Sequence, residues 1–234
     1  MIGKINSIET MGLVDGPGIR FVVFLQGCKL RCVFCHNPET WSNVPVIEMT
    51  PEELVDKILR YKPYFENNGG VTFSGGEPLL QPEFLLETCK LLKKENIHIS
   101  LDTSGVGIGN YEDILKYIDL VILDIKAYEQ DLYNKITGSN INEFMTFLNV
   151  CTKLNKKLWL RQVIIPGIND NKEYIKGLKI FTNKIPNVEK IEFLPFHTLG
   201  KEKYKKLNII NPLEKTLDMS KEKCNELFEY FNKI

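Results

Sequence analysis

The chain has 234 residues, of which 43% are hydrophobic, 26% charged and 10% aromatic. That excludes a disordered or collagen-like polypeptide and favours one domain over residues 1–234, large enough to bury its own core. Thirty Lys and Arg balance thirty Asp and Glu for a net charge of zero, which argues against a nucleic-acid binder. The longest apolar runs, Phe21 to Leu25 and Leu120 to Leu123, fall far short of a membrane span. The opening MIGKINSIETMG lacks the apolar segment of a secretory signal, so the expected location is cytoplasmic, with no membrane partner.

Taken in chain order, short β-rich runs alternate with stretches of helical pattern. The expected strands are Arg20 to Gln26, Val71 to Phe73, His98 to Leu101, Leu120 to Ile125, Lys157 to Ile165 and Lys190 to Leu194. Thr50-Pro51-Glu52-Glu53 opens a helix with an N-cap threonine, a proline at the first helical position and early acids. Leu54, Ile58 and Leu59 then recur at helical spacing. Pro82 to Lys94 carries Phe84, Leu85, Leu91 and Leu92 at the same spacing, and further helices fit 111–117, 141–155, 171–183 and 214–232. No Gly/Ser-rich linker divides the chain. Strand–helix alternation with nearly continuous apolar strands predicts a parallel sheet covered by helices, either a curved open barrel or a doubly wound sheet. In both, chemistry collects at the carboxyl ends of the strands.

The conspicuous residues follow the strands. Gly27-Cys28 follows the first, Ser74-Gly75-Gly76-Glu77 the second, and Asp102-Thr103-Ser104-Gly105 ends the third. Asp124-Ile125-Lys126 ends the fourth, Arg161 lies within the fifth, and Pro195-Phe196-His197 follows the sixth. Three of the six cysteines, Cys28, Cys32 and Cys35, crowd into eight residues. Thiolates suit zinc or iron–sulfur clusters. Three of them can hold three corners of a [4Fe–4S] cube and leave the fourth iron open to a small molecule. A zinc site completed by His36 and three unrelated core cysteines are the alternatives. Cys89, Cys151 and Cys224 sit in helical patterns and read as buried filler. The paired glycines fit either a ligand's approach to the backbone or a tight strand-to-helix turn. Asp102 and Asp124 fit either a polar cavity or turn and cap positions. Asp15-Gly16-Pro17-Gly18 is a turn signal. His98 belongs to no motif and reads as structural. Lys201, Lys203, Lys205 and Lys206 read as a solvated face.

C-x3-C-x2-C with Phe34 just before the last cysteine resembles the radical S-adenosylmethionine (SAM) superfamily. The stretches VDGPGIRFVVFLQGC, CVFCHNPETW, VTFSGGEPLLQPEF, LDTSG, LVILDIKA, LWLRQVIIPGIND and KIEFLPFHTLGKEKY resemble its glycyl-radical enzyme activases of the pyruvate formate-lyase type. They span about residues 14 to 204.

The resemblance implies an incomplete (β/α)6 barrel of parallel strands, open on one side to a polypeptide. It implies a [4Fe–4S] cluster on Cys28, Cys32 and Cys35. SAM would lie against Phe34, Cys35, His36, Gly75, Gly76, Asp102, Asp124, Ile125, Lys126 and His197. A monovalent cation near Asp102, Thr103 and Asp124, and a peptide held by Asp15 and Arg161, are further expectations. The implied chemistry is reductive cleavage of SAM to a 5′-deoxyadenosyl radical that takes hydrogen from a glycine Cα of pyruvate formate-lyase, with flavodoxin or ferredoxin as electron donor. No side chain is required as acid or base. An activase of another glycyl-radical enzyme is the near alternative, although residues 36–88 contain no cysteine and so lack the ferredoxin insert of many such activases. A non-enzymatic zinc or iron–sulfur module is the alternative from a different class.

Overall fold

The computed structural model describes residues 1–234. Eight strands form one open sheet: β1 (Gly3–Gly12), β2 (Arg20–Leu25), β3 (Ile47–Met49), β4 (Gly70–Gly75), β5 (Ile99–Thr103), β6 (Leu120–Asp124), β7 (Leu158–Ile164) and β8 (Val188–Pro195). Their order is β3-β1-β2-β4-β5-β6-β7-β8. The six strands from β2 to β8 pair in parallel, as expected. β1 and β3 add an antiparallel edge that the sequence did not announce. The helices are α1 (Pro51–Leu59), α2 (Pro82–Lys94), α3 (Tyr111–Leu115), α4 (Gln130–Thr137), α5 (Asn142–Lys153), α6 (Lys172–Thr182), α7 (Lys201–Lys206) and α8 (Lys221–Lys233). None is long and apolar enough to cross a membrane.

Local chemistry sets the helix starts. Thr50 caps α1 by accepting from Glu53 N at 3.2 Å, and the Glu53 carboxylate accepts from Thr50 N at 2.8 Å, which satisfies two donors that a helix start leaves free. α2 runs over the expected residues. The last helix is shorter than expected, because the chain from Asn208 to Met219 is irregular and Ser220 caps α8. α4 and α7 are additions, and the four lysines expected on a solvated face belong to α7.

The two faces of the sheet differ. Phe21, Val23, Phe73, Leu101, Leu123 and Leu160 point to the helices and join a core cluster of 48 buried residues. Each buried large apolar side chain there contributes about 1.5–3 kcal/mol. The alternate positions stand in register on the other face: Val22 beside Thr72, Thr72 beside Ser100, Asp102 beside Ile122, Asp124 beside Arg161 and Arg161 beside Glu192. That face is apolar in places and polar towards the strands' carboxyl ends. The strands therefore look continuously apolar in sequence although one side lines a cleft.

At the opposite end of the cleft Arg20 is fully buried. Its guanidinium donates to Thr72 Oγ1 at 2.9 Å, Ser100 Oγ at 3.1 Å and the Val71 carbonyl. Thr72 Oγ1 in turn donates to the Asp15 carbonyl at 2.6 Å. The Asp15–Gly18 turn is thereby tied to β4 and β5. His98 Nδ1 lies 3.3 Å from Arg20 Nη1, a structural position as expected.

Candidate active site at the carboxyl ends of the strands

The cysteines lie on the loop that leaves β2. Gly27, at φ +98°, takes a conformation suited to glycine and donates its N–H to the Thr40 carbonyl at 2.9 Å. Further on, Arg31 N and Val33 N donate to Thr137 O and Ile136 O at 2.9 and 2.8 Å, which pins the loop to the end of α4. Tyr204 of α7 donates its hydroxyl to the Cys35 carbonyl at 3.0 Å. Held on three sides, the loop presents Cys28, Cys32 and Cys35 to one cavity of about 410 Å³. Burial pushes the Cys28 thiol up to about 12 and the Cys32 thiol up to about 11. The Cys35 thiol is raised by burial too.

The paired glycines have a structural explanation on the protein side. A Cβ on Gly76 would sit 2.2 Å from the Gly27 carbonyl oxygen, and one on Gly75, at φ +114°, would sit 2.3 Å from Leu25 N. Only glycine lets the end of β4 pack this closely against the root of the cysteine loop. Glu77 closes the turn. Fully buried, it accepts from Leu79 N at 3.1 Å, Thr103 Oγ1 at 2.6 Å, Ser104 N at 2.9 Å and Ser104 Oγ at 2.5 Å. Four donors satisfy a carboxylate that would otherwise be costly to bury. Sequence spacing gave no sign of this role, because Ser104 lies 27 residues away.

The rest of the cavity wall is charged. Ser74 Oγ donates to Asp102 Oδ2 at 2.8 Å, and Arg161 Nη1 stands 3.8 Å from the same oxygen. Burial and, second, the neighbouring Asp124 push the Asp102 carboxyl up to about 6, while Arg161 opposes them. Lys126 Nζ bonds Asp124 Oδ2 at 2.7 Å and stands 5.2 Å over the Phe34 ring. Burial opposes the Lys126 charge, but Asp124 and Cys32 together hold its pKa above the ordinary lysine value. The His36 and His197 rings stack with centres 3.8 Å apart, and His36 Nε2 lies 3.0 Å from the His197 carbonyl oxygen. His197 Nδ1 is buried without a partner.

Of the expected residues, the three cysteines, Phe34, His36, Gly75, Gly76, Asp102, Thr103, Asp124, Lys126, Arg161 and His197 line this cavity. Ile125 does not. Its side chain is buried in the core, and its backbone N–H is taken by the Arg161 carbonyl at 2.8 Å. Asp15 also stands outside the wall. It is linked to it through Arg161, which donates from Nη2 to the neighbouring Val14 carbonyl at 2.5 Å and from Nε to Glu192 at 3.0 Å. Ser74 and Ser104, from the strand-end motifs, also line the wall, as do Asn37 and Trp41, which the sequence did not single out.

The donor set fits an iron–sulfur cluster with one open iron. Three soft thiols face one cavity, and the remaining cysteines are buried in α2, α5 and α8. The unpartnered His197 Nδ1 and the Asp102 carboxylate leave polar capacity for a charged ligand beside them. No three His, Cys, Asp or Glu side chains converge on one point that a single ion would fill. The Nε2 of His36, the expected fourth ligand of a zinc site, stands at the His197 carbonyl.

The family model of the radical SAM superfamily matches residues 22–178. A pyruvate formate-lyase-activating enzyme of Clostridium pasteurianum is 53% identical over 100% of this chain and 99% of its own. That of Staphylococcus epidermidis is 43% identical over 98% of this chain and 95% of its own. A radical SAM methyltransferase of Sphaerobacter thermophilus superposes with a TM-score of 0.66 at 17% identity, covering 92% of this chain and 64% of its own; that likeness concerns the fold. The β2 loop with its three cysteines and the strand-end residues from Ser74 to Arg161 fall inside the matched segment, and the chain belongs to the radical SAM superfamily and, within it, to the pyruvate formate-lyase-activating enzymes.

Proposed function

We propose that this chain activates pyruvate formate-lyase by making a glycyl radical on it, as a single radical SAM domain acting in the cytoplasm. The supporting observation is the gathering of three thiols and a carboxylate–lysine wall in one open cleft. When bound, a [4Fe–4S] cluster and SAM supply the electron and, through reductive cleavage of the sulfonium, the radical that removes hydrogen from a glycine Cα.

The side chains divide the remaining work. Cys28, Cys32 and Cys35 would hold the cluster through their three thiolates, with one iron open to the amino and carboxylate groups of SAM. The glycine-rich edge at Gly75 and Gly76, with Asp102, would accept hydrogen bonds from the amino end of SAM. Phe34, His36, Lys126 and His197 line the rest of the SAM site, with Asp124 fixing Lys126 and Ile125 contributing backbone alone. A monovalent cation at Asp102, Thr103 and Asp124 would share Asp124 with Lys126. Arg161 steadies Asp102 and the Val14–Asp15 turn together, so it can relate the substrate peptide to the cofactor. Glycine suits the reaction because no side chain blocks its Cα. Flavodoxin or ferredoxin is the proposed donor of the electron.

The test combines chain, cluster, SAM, reductant and pyruvate formate-lyase without oxygen. A glycyl-radical EPR doublet that requires every component is expected. SAM cleavage without the doublet would assign the chemistry to another partner. The lack of any cysteine in residues 36–88 favours the pyruvate formate-lyase type over activases with a ferredoxin insert.

A further inference from the structure

The cleft face of the last two strands carries a carboxylate, Glu192, that the scheme above leaves unused. In register, Trp159 stands beside Lys190, Arg161 beside Glu192 and Val163 beside Leu194. Arg161, Val163 and Leu194 line the cavity of the cysteines. The Glu192 carboxylate bonds Arg161 Nε with one oxygen at 3.0 Å and Lys190 Nζ with the other at 2.6 Å. The Lys190 ammonium in turn lies 4.5 Å from the centre of the Trp159 ring. Burial opposes the Glu192 charge, but Lys190 and Arg161 hold its pKa below the ordinary glutamate value. The guanidinium of Arg161 carries its donors in a rigid planar fork. Its Nε donates to Glu192, its Nη2 donates to the Val14 carbonyl at 2.5 Å, and its Nη1 stands 3.8 Å from Asp102, beyond hydrogen-bond length. One planar group therefore reaches β8, the Val14–Asp15 turn and the cofactor side of the cleft at once. The turn depends on such polar ties, because the Leu13 and Val14 side chains are 73% and 77% exposed and give it no apolar packing. Its other tie is the Asp15 carbonyl, which accepts from Thr72 Oγ1 at 2.6 Å.

We propose that Glu192 is a positioning residue that acts through Arg161, holding Nε so that Nη2 keeps the Val14–Asp15 turn in place beside the cleft; the inference rests on the reading that a substrate polypeptide is held there. A long arginine side chain loses rotamer freedom when it is fixed at a single point. Glu192 removes that freedom in advance. With Nε held, the rigid fork brings Nη2 to the turn without further ordering. Glu192 bonds Lys190 and Arg161 rather than the turn itself, so its influence on the turn passes through the guanidinium.

The substitution Glu192→Met removes the acceptor and keeps the length, whereas Glu192→Gln keeps an oxygen for Nε. Two measurements on the cluster-loaded chain at saturating SAM test the proposal. The first, amide hydrogen exchange read by mass spectrometry, needs no partner. In Glu192→Met, exchange over residues 13–18 should quicken about tenfold, the effect of losing one hydrogen bond to a charged group, while exchange in α2 stays as in the wild type. The second is the rate of glycyl-radical formation, by EPR, against the concentration of pyruvate formate-lyase. Glu192→Met should raise the half-saturating concentration about tenfold and leave the rate at saturation unchanged, a split that a general loss of stability would not produce. Glu192→Gln should return both readouts towards the wild type. The double variant Glu192→Met with Arg161→Met should be no worse than Arg161→Met alone, because a residue acting through another adds nothing once that other is gone. Unchanged exchange over residues 13–18 in Glu192→Met, or effects of the two substitutions that add, overturns the proposal. Faster exchange in the variant, with no glycyl radical even from the wild type, supports the positioning role and overturns the partner reading instead.

Discussion

Phe73 and Ser74 are neighbours on β4, yet they serve different halves of the molecule. Phe73 is fully buried in the core between sheet and helices. Ser74 faces the cleft and donates to Asp102 at 2.8 Å. The helix side holds the fold together by apolar burial. The cleft side concentrates Asp102, Asp124, Lys126 and Arg161, where pairing outweighs burial at Lys126 and Arg161 but not at Asp102. An open barrel tolerates such a face because the opposite one supplies the stability. Substitutions on the two faces should therefore fail differently: one in folding, the other in binding.

The largest contrast is among the cysteines. Cys28→Ala, Cys32→Ala and Cys35→Ala should each abolish SAM cleavage and deplete cluster iron. Cys151→Ala, in the core of α5, should leave both near the wild type. Iron analysis and product assay after anaerobic reconstitution check this, and full activity in any of the first three would sink the ligand assignment.

Next come the neighbours on β4. Phe73→Ala should cost about 3–5 kcal/mol of unfolding free energy, through lost burial and the cavity left behind. Ser74→Ala should cost about 1 kcal/mol or less and act mainly on SAM binding. Urea unfolding of both variants tests the division. Equal losses would show that the cleft face is as structural as the core.

A smaller effect is expected at Lys126, a cleft residue whose partner Asp124 lies 2.7 Å away. Losing a hydrogen bond to a charged ligand costs about 1.5–3 kcal/mol. Lys126→Met should accordingly weaken SAM binding roughly 10- to 150-fold while the iron content stays near normal. Calorimetry with the cluster-loaded variant gives the affinity.

How far the sequence revealed these halves depended on how local the physics is. α2 was legible residue by residue because Pro82 opens it and Phe84, Leu85 and Leu92 mark its buried stripe. β1 was not, because GKINSIETMG buries only Gly3, Ile5 and Gly12 and shows no alternation of apolar and polar residues. α7 carries one buried side chain, Tyr204, among lysines, so its pattern reads as surface. In the site, Cys28, Asp102 and Lys126 were readable because a parallel topology places strand ends together. The burial of Glu77 was not, because its donors Thr103 and Ser104 come from the end of β5, and only the folded chain shows why a carboxylate is needed there.

The last expectation inverts the usual sign of a damaging substitution. Asp102 has its pKa raised from 3.8 to about 6, by burial first and Asp124 second, with Arg161 opposing. Between those values the folded ligand-free chain binds a proton that the unfolded chain does not. Its stability from this group is therefore greatest in acid and is lost as the pH rises through about 6. Asp102→Asn removes that loss. Unfolding of the ligand-free protein at about pH 7.5 should show Asp102→Asn more stable than the wild type, by on the order of 1–3 kcal/mol. Near pH 4 the advantage should shrink towards zero, because Asp102 is then mostly protonated in the folded state. SAM binding should weaken at the same time, since the substitution replaces a carboxylate acceptor in the wall that receives the amino end of SAM. A variant less stable than the wild type at about pH 7.5 would mean that Arg161, 3.8 Å from Asp102, outweighs burial and Asp124. The carboxylate would then belong with the residues that hold the fold together.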